Sequence, residues 1–252
     1  MNTLRVLVFL VAGLLSAPIA AAGPATEGRV VAVSDGDTVT LEDGAVVRLV
    51  GIQAPKLPLG RPGYPTWPLA EAAKTAAEAL CLGQTVRLSY GGQEVDRYGR
   101  LLAQLTTTDG VWVQGKMLER GMARVYTFAD NRARAAEMLT LERRARAARR
   151  GIWADPFYAI RHADDPARIP VGGFELVEGK VLAAATVKGR SFLNFGPDRH
   201  SDFTITMAPK SLKSFGGIDG YGGHVVRVRG WVERRDGPLI EATHPEQIER
   251  LD

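Results

Sequence analysis

Hydrophobic and polar residues alternate in several short segments of the first half of the chain, which predicts half-buried β-strands. This period-two pattern, rich in β-branched residues, predicts strands over residues 28–33, 38–41, 46–52, 86–90 and 101–106. Apolar positions at helical spacing, each time followed by a glycine, predict helices over residues 69–82, 113–120 and 131–150. Three strands, a helix, two strands and two helices form the order of a five-stranded OB barrel with attached helices.

The second half of the chain is also rich in predicted strands. They cover residues 178–187, 190–195, 202–207, 225–233 and 239–244, with a short helix over 208–215 between the third and the fourth. This order fits a second, OB-like small β-barrel, although strand count alone leaves an SH3-like barrel and a sandwich open. Residues 154–173 hold three prolines and end in two glycines, which is typical of a linker.

Aromatic and basic residues of this second unit allow two interpretations. Phe192, Phe195 and Phe203 alternate with polar residues, as they do in a binding sheet and also in a packed core. Arg190, Arg199 and His200 could supply phosphate contacts, but arginines near turns are common. Both interpretations stay open from the sequence.

The first 22 residues have the layout of a secretory signal peptide. Arg5 precedes an apolar run over residues 6–15, and three alanines end at Ala22, where cleavage is expected. The alternative is an uncleaved anchor, for which the apolar run is short. We therefore expect an exported protein, periplasmic or secreted, whose mature chain has no membrane span. The single cysteine, Cys81, excludes an intrachain disulfide.

Positive charge is concentrated in one segment. The formal net charge is only +4, but residues 132–150 hold seven arginines against two glutamates. Such a segment can attract a polyanion, or it can be a solvated helix face with internal ion pairs.

Candidate chemistry lies in short motifs. The main ones are Asp35-Gly36-Asp37-Thr38, Arg48, Gln53-Ala54-Pro55-Lys56 and Asp96-Arg97-Tyr98-Gly99-Arg100, followed by Gly121-Met122-Ala123-Arg124-Val125 and Gly151-Ile152-Trp153. Together they resemble the staphylococcal-nuclease (thermonuclease) family over residues 28–153. The resemblance implies an OB-fold nuclease domain that binds nucleic acid, with the OB-like accessory domain following over residues 174–252.

The resemblance also implies roles for individual residues. Asp37 would bind a metal ion, with Asp35 supporting it, and Arg48 and Arg100 would contact the phosphate and its transition state. Bidentate guanidinium groups suit that task. Tyr98 is a further candidate binding residue.

Tyr126 is an aromatic candidate. Its ring could stack on a base or belong to the core.

Two substitutions argue against the usual chemistry of that family. Where the family has a metal-binding carboxylate, this chain has Gln53, whose neutral amide oxygen would leave any Ca²⁺ site weak. Where the family has a glutamate as general base, it has Lys56, and a protonated amine accepts no proton. Lys56 is instead a candidate for binding phosphate, and whether the chain is an enzyme stays open.

The sequence leaves three alternative functions open. The first is an exported thermonuclease-like protein that binds nucleic acid or another phosphorylated polyanion, with hydrolysis lost or weak. The second is an active metal-dependent nuclease with an altered mechanism, and the third is a structural module of the cell envelope. The sequence does not give the oligomeric state.

Overall fold

The computed structural model describes residues 26–252, so the predicted signal peptide over residues 1–22 lies outside the described part of the chain. The described residues form two β-rich units, each around an apolar core of its own. Within residues 26–252, the helices are all too short or too polar to cross a bilayer.

The first unit is a closed barrel. Its elements are β1 (Glu27–Asp35), β2 (Thr38–Leu41), β3 (Val46–Leu49), β4 (Gly51–Gln53), α1 (Ala70–Cys81), β5 (Thr85–Ser89), β6 (Leu101–Thr107), α2 (Val113–Glu119), β7 (Arg124–Tyr126) and α3 (Ala135–Ala147). The barrel order is β1-β2-β3-β6-β5, with β3 and β6 parallel and β5 returning to β1. Strands β4 and β7 form a separate pair. The predicted OB barrel with attached helices is confirmed.

One predicted strand, residues 46–52, is divided into β3 and β4. Gly51 causes the break, because it has a φ of +88°, a conformation that favours glycine. A Cβ at this position would lie 2.5 Å from Cε of Met138 in α3. Glycine at this position thus allows α3 to approach closely at the end of β3, where β4 leaves the barrel to pair with β7.

Helix α1 covers one end of the barrel. Its buried residues Ala70, Ala73, Ala77 and Cys81 repeat every three or four positions, so they share one face. The small side chains allow a close approach, and a Cβ at Gly36 would meet the Cβ of Ala73 at 2.9 Å. This packing fixes the turn between β1 and β2.

The second unit repeats the strand order of the first. Its elements are β8 (Arg161–His162), β9 (Phe174–Lys180), β10 (Ala183–Val187), β11 (Arg190–Asn194), β12 (Thr204–Met207), α4 (Pro209–Phe215), β13 (Val225–Arg235), β14 (Gly237–Glu241) and β15 (Ile248–Arg250). The sheet order is β10-β11-β12-β14-β13-β9-β8, with β12 and β14 parallel and β15 paired to β13.

Only Val181 and Leu182 separate β9 from β10, so the two are halves of one bent strand. The sheet thus starts and returns on the same strand, in the OB order 1-2-3-5-4-1. The predicted second OB-like unit is confirmed, including its helix between the third and fourth strands.

Buried polar contacts join the two units. Arg124 of β7 donates to the backbone oxygen of Phe174 at 2.8 Å. Arg229 of β13 donates to Glu142 of α3 at 2.6 Å and to Glu249 of β15. These side chains are excluded from solvent, so the units share an interior interface.

The chain between the barrels is packed as well. It contains 3₁₀ turns at Gly151–Ala154, Pro156–Tyr158 and Pro166–Arg168. The buried Tyr158 donates its hydroxyl to the backbone oxygen of Pro68 at 2.6 Å. The domain boundaries drawn from the sequence, including a linker over residues 154–173, stay a prediction.

The arginine-rich segment faces the second barrel in part. Arg132 pairs with Glu246 at 2.7 Å, and Arg143 pairs with Glu249 at 3.3 Å. Arg134 pairs with Glu137 within the segment itself. Much of the segment's charge is therefore balanced by acids, and part of it serves the contact between barrels.

Candidate nucleic-acid interface

Four charged side chains meet at the end of strand β1, and we call them the cleft cluster: Asp35, Asp37, Arg48 and Lys56. The Lys56 ammonium lies 2.6 Å from both carboxylate oxygens of Asp37 and 3.2 Å from Oδ2 of Asp35. Arg48 Nη2 lies 3.3 Å from Asp37 Oδ2. The cluster thus holds two carboxylates and two cations.

Backbone contacts hold the cleft cluster in place. The Asp37 amide donates to Oδ1 of Asp35 at 3.1 Å, which stiffens the turn before β2. The Ala54 amide donates to Oδ2 of Asp37 at 2.7 Å and ties the segment after β4 to that turn. Lys56 follows two residues later, so the same contact brings its side chain over the carboxylates.

Arg48 is held mainly by carbonyl groups. It donates to the backbone oxygens of Leu49 at 2.7 Å, Ile52 at 2.6 Å and Asp37 at 3.2 Å. These contacts fix the guanidinium beside Asp37 while one side of it lines a cleft. Its position is therefore set by the fold before any ligand arrives.

The two aspartates differ in their affinity for a proton. Burial alone would raise the pKa of Asp37, but the charges of Arg48 and Lys56 and the hydrogen bonds from Lys56 and Ala54 outweigh it and hold the pKa well below its usual range. Burial and the neighbouring charge of Asp37 raise the pKa of Asp35. Asp37 is the more strongly ionised partner of Lys56.

A calcium ion does not fit the residues present. Ca²⁺ takes six to eight oxygen ligands at about 2.3–2.6 Å, and the Lys56 ammonium stands against the same Asp37 oxygens that such an ion would need. Within residues 26–252, no group of three or more His, Cys, Asp and Glu is arranged to hold a metal ion. The protein supplies its own cation at this position.

Gln53 is turned away from the aspartates. Its Oε1 accepts a hydrogen bond from Arg124 Nη2 at 3.1 Å, and the residue is buried in the contact between barrels. The structure therefore does not bring the amide oxygen of Gln53 together with Asp35 and Asp37. The proposal that Gln53 binds a metal ion gains no support from this geometry.

An open cleft of about 500 Å³ lies beside the cluster, and we call it the first cleft. It brings together four residues that the sequence singled out, and its lining is Arg48, Gln93, Asp96, Arg97, Tyr98, Arg100, Leu102, Tyr126, Phe128 and Asp130. Positive charge and aromatic rings thus share one surface, which suits phosphate groups and bases.

Asp96 orients the cationic wall of the first cleft. It accepts from Arg100 Nε at 2.8 Å and from the backbone amides of Tyr98 and Arg100. The Arg97 guanidinium lies over the Tyr98 ring, 4.8 Å from its centroid. The Tyr98 side chain itself is largely exposed, so its ring is accessible to a ligand.

Tyr126 forms the opposite wall. Its ring packs against Phe128 at 4.7 Å and Phe174 at 4.9 Å between centroids, and its hydroxyl accepts from Trp231 Nε1 at 3.0 Å. The contacts of Tyr126 are thus shared between the first cleft and the second barrel.

Several lining residues were not singled out by the sequence. Arg97 stands inside a recognised motif and could have been chosen on that ground. The sequence did not predict that Gln93 and Asp130 line the cleft. They meet through a backbone hydrogen bond that joins segments far apart in the chain.

Comparison with known proteins agrees with this fold, which is that of an OB-fold domain. A family model described as staphylococcal nuclease homologue matches residues 46–155. The chain belongs to this family, and its membership supports a function related to nucleic acid.

Similarity to known relatives covers about half of this chain. A protein named uncharacterized endonuclease from Escherichia coli is 36% identical over 131 residues, which cover 51% of this chain and 77% of the relative. A thermonuclease of Staphylococcus hyicus is 28% identical over 130 residues, covering 50% and 75%. Protein ParB of Escherichia coli is 33% identical over 156 residues, covering 55% and 76%.

Proposed function

We propose that the first barrel binds nucleic acid or another phosphorylated polyanion in the first cleft, and that its hydrolytic activity is lost or weak. The observation that carries this proposal is the Lys56 ammonium, 2.6 Å from both carboxylate oxygens of Asp37. Lys56 thus stands where the family has a general base, and its ammonium contacts the oxygens that a metal ion would need.

Binding is supported by the arrangement of donors. Arg100 is oriented by Asp96, and Arg48 is oriented by backbone oxygens, so both guanidinium groups are fixed in advance. The Nη groups of Arg48 and the Nε–Nη2 edge of Arg100 already contact protein oxygens. The remaining N–H groups of these fixed side chains would therefore bind phosphate oxygens at little cost in conformational entropy. The Tyr98 and Tyr126 rings border the same cleft and offer faces on which bases can stack.

Weak hydrolysis follows from what the cleft cluster lacks. Cleavage of a phosphodiester needs a base that activates water, and a protonated Lys56 has no lone pair to accept a proton. The same ammonium neutralises Asp37, so the cluster does not repel a polyanion. A cleft with this composition favours holding a phosphate over cutting it.

An exported location is part of the proposal. It is supported by the signal-peptide pattern of residues 1–22 in the sequence. N-terminal sequencing of protein recovered from the periplasm or the medium should begin after Ala22. Recovery of the full-length chain from the cytoplasm alone would contradict export.

The experiment that tests the function measures binding and cleavage side by side. Labelled single-stranded DNA is titrated with the protein in chelator, and its cleavage is then followed with added calcium. We expect the wild type to bind without calcium and not to cut. A Gln53→Asp/Lys56→Glu double variant should cut when calcium is present, because an acid at position 56 replaces the ammonium that lies against the Asp37 oxygens.

A matched control is Lys116→Gln, which changes a lysine that lies outside the lining of the first cleft. It should bind as the wild type does. Calcium-dependent cleavage by the wild type, at the rate of the double variant, would contradict lost hydrolysis. Absence of binding to any single-stranded DNA in chelator would contradict the binding function.

A further inference from the structure

The second barrel carries an open cleft of its own, with a volume of about 370 Å³, and we call it the second cleft. It lies on strands β10, β11 and β12 and reaches the β13–β14 hairpin, and its lining is Ala185, Val187, Arg190, Phe192, Asn194, Arg199, Thr204, Thr206, Arg235, Asp236 and Leu239. The proposed function of the first barrel makes no use of this surface.

Strand register places these side chains on one outer face. Phe192 of β11 is paired with Ala185 of β10 and with Thr206 of β12, so the three stand side by side across the sheet. Ser191 and Leu193 point the other way and are buried. The ring of Phe192 is only partly buried, so this aromatic residue belongs to the outer face and not to the core.

The second cleft is lined by more arginines than acids. Three arginines line it, at positions 190, 199 and 235, against the single acid Asp236. Arg190 is held by Glu241 at 3.2 Å and by Thr206 at 3.3 Å, and Arg235 is held by Glu233 at 3.1 Å. The guanidinium groups around Phe192 are therefore partly fixed, as in the first cleft, and they suit an anionic ligand.

A smaller groove, of about 180 Å³, lies between the two clefts. Tyr126 and Phe128 line both the first cleft and this groove, which continues past Trp231 to Glu233 and Glu241. These two glutamates are the partners of Arg235 and Arg190 in the second cleft. The groove therefore shares lining residues with the first cleft and meets the second cleft through two ion pairs.

Exposed rings recur along this path. About two fifths of Phe128 and of Trp231 is exposed, at 41% each, and Tyr98 stands before them and Phe192 after them. Arginines flank the rings at both ends. A row of rings with cations at both ends fits a strand whose bases are free to stack, whereas the bases of a duplex are already stacked on each other.

We propose that the second cleft binds single-stranded nucleic acid and that one strand crosses both barrels through the groove. The inference rests on the proposed function, since the same strand occupies the first cleft. It assigns a ligand to the second barrel, and it makes length a determinant of affinity. A strand long enough for both clefts gains the contacts of the second without a second bimolecular step.

The test compares two lengths of labelled oligothymidylate, about 6 and about 18 nucleotides, because one OB fold covers about 4–16 nucleotides and only the longer strand exceeds that range. Binding to the full chain is measured by fluorescence anisotropy in chelator. The variants are Phe192→Ala/Arg199→Ala in the second cleft and Arg100→Ala in the first. Arg168→Ala is the control, because this exposed arginine lies outside the lining of both clefts.

We expect the wild type to bind the long strand at least about tenfold more tightly than the short one. This ratio should fall close to one in either cleft variant and stay unchanged in the control. Arg199→Ala alone, a change at an exposed residue, should lower the ratio in the same direction if the double variant is poorly folded.

Two outcomes separate this inference from the proposed function. If Arg100→Ala weakens binding while the second-cleft variants bind the long strand as the wild type does, the inference is overturned and the function of the first cleft stands. If the wild type binds neither strand, the proposed function fails. Polyphosphate of matched charge binding as tightly as the long strand, with no effect of Phe192→Ala on either, would overturn base stacking and leave a general polyanion site.

Discussion

Two clusters of buried charge illustrate different uses of ion pairs in this protein. The cleft cluster borders open solvent, and the Lys56 side chain keeps 16% of its surface exposed above a fully buried Asp37. The second cluster, which we call the interface cluster, joins Arg229 to Glu142 and Glu249 between the barrels. The side chains of Arg229 and Glu142 are 2% and 0% exposed.

The two clusters differ in whether water can reach the charge that a substitution leaves unpaired. In the interface cluster, removing one partner leaves a charge that water cannot reach, and the cost is large. In the cleft cluster, Lys56 keeps part of its surface exposed, so water can reach a charge that a substitution leaves unpaired. The interface cluster stabilises a contact between the barrels, whereas the cleft cluster keeps a partly exposed cation.

The largest effect is expected from Arg229→Ala. It removes the buried partner of Glu142 and Glu249 and leaves them only Arg146 at 3.8 Å and Arg143 at 3.3 Å, which should lower the free energy of unfolding by about 3–5 kcal/mol. Urea unfolding measures this change. Arg227→Ala, on the same strand with the more accessible partner Glu178, is the control, and an equal loss in both variants would contradict the comparison.

Lys56→Ala should have a smaller effect that depends on calcium. Without the ammonium, Asp35 and Asp37 face each other beside Arg48 alone, which should cost about 2 kcal/mol in chelator. Calcium should raise the thermal unfolding midpoint of the variant but not of the wild type. Lys74→Ala, in helix α1, is the control, and an equal calcium response of wild type and variant would show that Lys56 does not replace the ion.

A pH dependence is expected from His244, which contacts Thr127 across the barrel contact at 2.7 Å. Burial lowers its pKa from 6.5 to about 4. Between these values the unfolded chain binds a proton that the folded chain does not, so stability is lost as the pH falls through this window. After allowance for solvent screening, the loss is roughly 2 kcal/mol.

His244→Asn should flatten this slope, measured as the free energy of unfolding between neutral and mildly acidic pH. His162→Asn changes an exposed histidine and should keep the slope. If the slope persists in the His244 variant, other titratable groups cause the pH dependence.

The smallest effect is expected from an exposed ion pair. Lys116 and Glu119 lie 2.8 Å apart, yet both side chains are more than two fifths exposed, at 48% and 44%. Lys116→Ala should therefore change the free energy of unfolding by less than about 0.5 kcal/mol in urea. A cost comparable to that of Arg229→Ala would show that distance, and not burial, decides the value of these pairs.

Much of the fold could be predicted from local pattern. Alternation located most strands, and glycines marked the ends of helices α1, α2 and α3. The divisions at Gly51 and at Val181-Leu182 were not predicted, because they depend on the packing of distant elements such as Met138. Strand β15 was missed because three residues carry too little pattern.

The sequence predicted which residues belong to the candidate site better than it predicted the contacts between them. Motifs gathered Arg48, Arg100 and Tyr98, which share the first cleft. They could not show that Lys56 reaches Asp37, since that contact depends on how the turn and the segment after β4 meet in space. The orientation of Gln53 toward Arg124 follows from a contact between segments 71 residues apart, which no local pattern reveals.

The interface cluster also has a consequence for the order in which the protein is made. Glu142 leaves the ribosome 87 residues before Arg229, the side chain that balances it. In a nascent first barrel, Glu142 has Arg146 of its own helix, at 3.8 Å, as its ion-pair partner. Completion of the second barrel adds Arg229 at 2.6 Å, so the last stage of synthesis should be the one that locks the first barrel into its final stability.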